Sequence, residues 1–282
     1  MKTKKSFKVA HIVPISCLEE TANNQYHMCL AQLVKQSNEY AEFYKRMSAE
    51  GKYVLMDNGA AEGCQSSLDD FIRCCEFVKP TEIVLPDTLQ KKNKTLRSTL
   101  LAYNYLQQKF SEEIPYKVMA VVQGKGIDKS LECIKQYRSL AENKMLRIDT
   151  LGIPKVLVTY TDDENARARL LELAASDIIA LGCEVHLLGC NESTETIRKI
   201  HRYYGSDMSY LGFVRGIDSA FAYLGSQADV LIDEGAKRPK GSIDFLRGKS
   251  YKTLANNMDG FNEAVGVADN EVDSFWLEKK RR

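Results

Sequence analysis

The chain has 282 residues, 44% of them hydrophobic and 27% charged, a composition that suits a globular fold with a sizeable core and excludes a disordered or fibrous chain. Its formal net charge is +1, without the basic excess that usually marks a nucleic-acid binder, so any such role must rest on local clusters. No apolar run approaches the roughly 20 residues that span a bilayer.

The basic start MKTKKSFKVAHIVPI carries His11 within its apolar stretch and shows no small-residue cleavage site, so it reads as a first strand rather than a leader. Six further runs follow: YVLMD (53–57), EIVLPD (82–87), KVMAVVQG (117–124), TLGIP (150–154), EVHLLGC (184–190) and LGFVRGID (211–218). Their nearly continuous apolar character is that of parallel strands covered on both faces. Between them lie helical patterns with apolar residues at three- and four-residue steps, such as SSLDDFIRCCEFV and ENARARLLELAASDIIALG. Ser66 or Ser67 and Ser193 stand where N-caps are expected, and Gly182 where a C-cap is.

Seven β-then-α units predict a single-domain (β/α)8 TIM-type barrel, with ADVLID (228–233) the best candidate for the eighth strand and an open doubly wound sheet the alternative. The segment of about 20–50 reads as a helical insertion and that of about 240–282 as a C-terminal extension, with WLEKKRR a solvated end. No Gly-rich fingerprint follows the first strand, which counts against a dinucleotide fold. Cys74, Cys75, Cys133 and Cys183 lie in or beside amphipathic runs, as reduced thiols of a cytoplasmic protein do.

In a β/α barrel the reactive groups sit at the C-terminal ends of the strands. Those ends carry Asp57, Asp87, Gln123, Gly152, Gly189 and Asp218. Two carboxylates in one pocket suit glycosidic bond cleavage, one attacking the anomeric carbon while the other moves protons. Carboxylate and carboxamide groups such as Asp87 and Gln123 are able to read a purine edge by paired hydrogen bonds.

The order of these residues resembles the tRNA-guanine transglycosylase superfamily, including its phage and bacterial branch that places 7-deazaguanines in DNA. Met56-Asp57-Asn58-Gly59-Ala60 is similar to that family's aspartate-serine-glycine-glycine turn. Pro86-Asp87, Val121-Val122-Gln123-Gly124, Leu151-Gly152-Ile153, Leu187-Leu188-Gly189 and Gly216-Ile217-Asp218-Ser219 follow in the family's order. The resemblance implies Asp218 as nucleophile toward C1′ of the sugar and Asp57 as general acid/base. It implies base recognition by Asp87 and Gln123, backbone contacts from Gly152 and Ile153, and a ring face packed by Leu188 beside Gly189. It also implies a free 7-deazaguanine such as preQ0 as the incoming base.

Two departures stand out. Family members often carry a phenylalanine soon after the first aspartate, stacking on the base, where this chain has Ala60, Ala61 and Glu62. The tRNA enzymes also carry a C-terminal zinc site, whereas here no cysteine follows Cys190 and Cys74-Cys75 lacks ligand spacing. We therefore expect no metal and no cofactor, and DNA rather than tRNA as the polymer. Lys91, Lys92, Lys94, Arg215, Lys237 and Arg238 are the candidate phosphate contacts, although charge runs of this kind are more often solvated faces. His186 and His11 lie in strands and read first as hydrogen-bonded core residues. Two other readings remain open at this point: a lyase or aldolase forming a Schiff base on Lys155 or Lys125, and a catalytically inactive barrel that serves as a binding partner.

Overall fold

The computed structural model describes residues 7–111, 113–205 and 212–267. Runs that are buried on both faces have to pair in an interior sheet, and here they do so all in parallel. The strands are β1 (Lys8–His11), β2 (Tyr26–Leu30), β3 (Tyr53–Asp57), β4 (Glu82–Val84), β5 (Lys117–Val121), β6 (Thr150–Pro154), β7 (Glu184–Leu188) and β8 (Val214–Ser219). Their order is β1-β8-β7-β6-β5-β4-β3-β2, with β1 packed beside β2 at the two ends of that order. The result is a nearly closed (β/α)8 barrel.

Helices cover the outside: α1 (Ala31–Gln36), α2 (Asn38–Ala49), α3 (Leu68–Val78), α4 (Lys92–Lys109), α5 (Gly126–Glu142), α6 (Val156–Thr161), α7 (Ala166–Leu181), α8 (Thr194–Ile200), α9 (Phe221–Gln227) and α10 (Leu254–Ala264). Ser67 caps α3 by accepting from Asp70 N at 3.2 Å, and Ser193 caps α8 by accepting from Thr196 N at 3.3 Å. Gly182 ends α7 in the left-handed conformation, φ 64°. No described helix is long and apolar enough to cross a membrane.

The eighth strand is not ADVLID. Those residues form an irregular segment after α9, where Val230 and Leu231 are exposed. The strand is YHMCL (26–30), inside the segment read as a helical insertion, and all five of its residues are buried. Only Ala31–Gln36 and Asn38–Ala49 of that segment are α-helical, and a 3₁₀ turn at Ile15–Thr21 precedes the strand. The terminal WLEKKRR lies outside the described residues.

The floor of the barrel, at the N-terminal ends of the strands, is closed by a polar plug. Arg215 donates to Glu82, Tyr26, Tyr53, Thr150 and Glu184, which are the first residues of β4, β2, β3, β6 and β7. Arg215 reaches inward because β8 carries a bulge: Val185 lies opposite Val214 and His186 opposite Gly216, leaving Arg215 as an extra residue.

Candidate active site

At the other end, the C-terminal ends of the strands surround a cavity of about 470 Å³, within the usual size range of small-molecule sites. Asp57, Asp87, Gln123, Leu188, Gly189 and Asp218 all line it. The walls also carry Glu62, Lys155, Arg238, Ile243 and Phe245.

Asp57 ends β3, and its Oδ2 accepts the Gly59 N–H at 3.1 Å. Gly59 stands at φ +78°, and a Cβ there would lie 2.7 Å from Gln32 Oε1, so this turn requires glycine. Surrounding protein desolvates the Asp57 carboxyl, and the negative charges of Glu62, Asp87 and Asp218 add to the effect. Its pKa rises to about 8 against the single lowering hydrogen bond from Gly59. Near neutral pH the balance therefore favours protonated Asp57. Glu62 is also raised, chiefly by desolvation.

Asp218, near the end of β8, is held by its neighbours on β7. Its Oδ1 accepts the Gly189 N–H at 2.9 Å and lies 3.1 Å from His186 Nε2. Gly189 adopts φ +66°, in the left-handed region that favours glycine, and the stem of Lys155 occupies the space where a side chain would go.

Asp87 is buried and held at both oxygens. Asn58 Nδ2 donates to its Oδ1 at 3.0 Å, and Gln123 Nε2 to its Oδ2 at 2.7 Å. Burial raises its pKa, and these two donors partly offset the rise. Gln123 Oε1 in turn accepts the Gln90 N–H at 2.8 Å. One Gln123 hydrogen and the remaining lone pairs of Asp87 are thus left for a ligand, fixed in direction by the network.

Gly152 and Ile153 do not reach the cavity wall; Pro154 and Lys155 take that place. Their carbonyls are committed, Gly152 O to Val122 N at 2.9 Å and Ile153 O to Arg167 Nη1 at 3.1 Å. Gly152 contributes by being small: a Cβ there would stand 2.7 Å from Leu188 Cδ1, so it makes room for Leu188 to line the pocket.

The charged candidates separate. Arg215 is corrected outright: it is buried at the opposite end of the barrel, tied to Glu82, and presents nothing to a phosphate at the mouth. Lys92 is tied to Glu132 at 2.7 Å on the helical side. Lys91, Lys94 and Lys237 are exposed but stand outside the cavity, and Arg238 lines it. His11 is a core residue bonded through Nε2 to Asn262 Oδ1 at 3.0 Å.

Several contributors were not legible as site residues. Arg167 of α7 forms a fully buried pair with Glu192 and also donates to Ile153 O and Leu188 O, so it clamps the ends of β6 and β7. Residues 236–248 form a strap along the mouth, pinned by Thr194 N to Ala236 O at 3.0 Å, Ile15 N to Phe245 O at 3.0 Å and Ser16 Oγ to Gly248 O at 2.7 Å. The strap supplies Phe245 and Ile243 as apolar lining in a cavity whose β3 loop offers only Ala60, Ala61 and Glu62. Among the described residues, no group of three or more histidines, cysteines or acids is arranged to hold a metal ion. No protein-family model matches the chain and no curated protein matches it, so support for a function comes from the geometry of this mouth.

Proposed function

We propose that the protein is a base-exchange transglycosylase that replaces guanine in DNA with a 7-deazaguanine through a covalent aspartyl–sugar intermediate. The observation that carries this reading is the pairing, in one cavity, of a carboxyl raised to about 8 with a carboxylate whose one oxygen is held by two donors. Asp218 attacks C1′, the bond from C1′ to the base nitrogen breaks, and protonated Asp57 delivers its proton to the departing purine. The incoming base then loses a proton to Asp57, its nitrogen attacks C1′, and the ester bond to Asp218 breaks. Asp87 and Gln123 read the base edge, with Leu188 and Phe245 among the apolar groups around the ring.

We take DNA rather than tRNA as the polymer, since residues 191–282 hold no cysteine to build a zinc site like that of the tRNA enzymes. Lys155 and Arg238 at the wall, with Lys91, Lys94 and Lys237 outside it, are the cations nearest a phosphate backbone. The target nucleotide must be extruded from the stack to reach the cavity, at a cost of roughly a few kcal/mol, so unpaired guanines should react fastest. All eight cysteines are free and all but Cys64 are buried, which suits a cytoplasmic enzyme.

The test is incubation with radiolabelled guanine or preQ0 and matched DNA and tRNA. Incorporation into tRNA alone would reassign the polymer, and incorporation into neither would remove the function. A Schiff-base lyase is the second reading, favoured by the place of Lys155 on the cavity wall; borohydride trapping with carbonyl substrates distinguishes it.

A further inference from the structure

His186 is wholly buried inside the barrel and bonded at both ring nitrogens, yet base exchange as described above assigns it nothing. Its partners favour one direction for this set of hydrogen bonds. Arg215 carries donors only, and its Nε lies 3.2 Å from the Tyr26 hydroxyl oxygen, which must accept there. The single Tyr26 hydrogen is then available for His186 Nδ1 at 3.0 Å. With Nδ1 accepting, the ring hydrogen would sit on Nε2, which faces the acceptor Asp218 Oδ1 at 3.1 Å. A one-way chain thus runs along the barrel axis from the Glu82–Arg215 plug to the mouth.

We propose that His186 is a positioning residue for Asp218, holding Oδ1 together with the Gly189 N–H so that Oδ2 is the oxygen that attacks C1′. The inference rests on the reading of Asp218 as the nucleophile. After attack, Oδ2 carries the bond to C1′ and Oδ1 is the ester carbonyl oxygen. When the incoming base displaces the ester, the C1′–Oδ2 electron pair returns to the carboxylate, and the two donors on Oδ1 stabilise the charge as it reappears. Burial holds the His186 pKa below its ordinary value, as a neutral ring in this role requires.

Two measurements on the full chain test this. Histidine-edited ¹⁵N NMR, with His186 assigned by its loss in His186→Gln, should show a neutral ring with hydrogen on Nε2 between pH 6 and 8. An Nδ1–H tautomer, or an imidazolium at neutral pH, would overturn the proposal whether or not the protein exchanges bases. In rapid-quench assays of the covalent adduct, His186→Phe should slow breakdown by about 10- to 100-fold, the range expected for one hydrogen bond to a charged group, and should slow formation through the lost positioning of Oδ2. KM for the free base should be unchanged, and His186→Gln, which keeps an N–H donor, should recover most of the rate. Equal rates in His186→Phe and wild type would sink the positioning role. A wild type that forms no adduct would remove the base-exchange reading, leaving the NMR result to decide the hydrogen-bond chain.

Discussion

Asn58 and Gln123 divide the Asp87 carboxylate between them, one side-chain amide on each oxygen, at 3.0 and 2.7 Å. The arrangement accepts no second acid. Asn58→Asp would place a carboxylate oxygen against Asp87 Oδ1, so one of the two would have to hold a proton. A carboxyl raised in the folded state is an increasing liability above its unfolded pKa of about 4. The variant should therefore lose stability relative to wild type as pH rises from 4 to 8, by about 1.5–3 kcal/mol for the lost charge-assisted bond alone. Urea denaturation at several pH values measures this.

Asp57 gives two linked expectations. As a general acid it works protonated, so exchange at saturating base should fall as pH rises through about 8. The stability effect has its own sign: the folded pKa is raised, so between about 4 and 8 the folded state keeps a proton that the unfolded chain releases, and stability declines with pH. Asp57→Asn removes that dependence. Its melting temperature should exceed that of wild type by more at pH 8 than at pH 5, while activity falls by about 10² to 10⁴.

Asp218→Asn should abolish adduct formation and leave the fold intact. The Asn carbonyl oxygen is still able to accept from Gly189 N and His186 Nε2, so the mouth keeps its geometry, but a carboxamide supplies no anionic nucleophile. Circular dichroism with labelled-guanine exchange checks both halves.

The Arg167–Glu192 pair has no exposed surface. Removing one partner strands the other charge, and Glu192→Leu should cost about 3–5 kcal/mol. The double change Arg167→Met with Glu192→Leu should recover a large part of that, because neither charge then remains buried. Activity should not return with stability, since the clamp on Ile153 O and Leu188 O is gone. Denaturant titration and exchange assays separate the two.

Gly152→Ala should leave the barrel folded and weaken base binding. The nearest atoms to the new methyl are the side-chain ends of Leu188 and Met119, at 2.7 and 3.0 Å, which are able to move. Leu188 would move into the space meant for the ring. The expected result is a raised KM for the free base with little change in melting temperature.

Seven of the eight strands were legible because their residues are apolar on both faces and each is followed by a helical pattern. The eighth was misplaced because hydropathy cannot see a partner. ADVLID has a strand's composition but no sheet edge to join, while YHMCL, with His27 in it, is short and runs straight into helical sequence. The strand-end acids and Gln123 were legible because barrel topology puts such ends at one mouth. The link from Tyr26 to His186 was not, since 160 residues separate them. Arg215 was misread for a related reason: it lies three residues before Asp218, and only the bulge tells which end of the barrel it serves.

That bulge has a consequence for what the gene tolerates. In a regular strand, residues three apart face opposite sides, so Arg215 and Asp218 share the interior only because β8 is one residue longer than its ladder requires. Shorten the strand by one and either the arginine leaves Glu82 stranded in the floor or the aspartate turns out of the cavity. Substitutions along β8 should therefore have graded effects, while single-codon deletions should be lethal to function at every position between 214 and 217. For this strand, keeping the residue count should matter more than keeping most of its side chains.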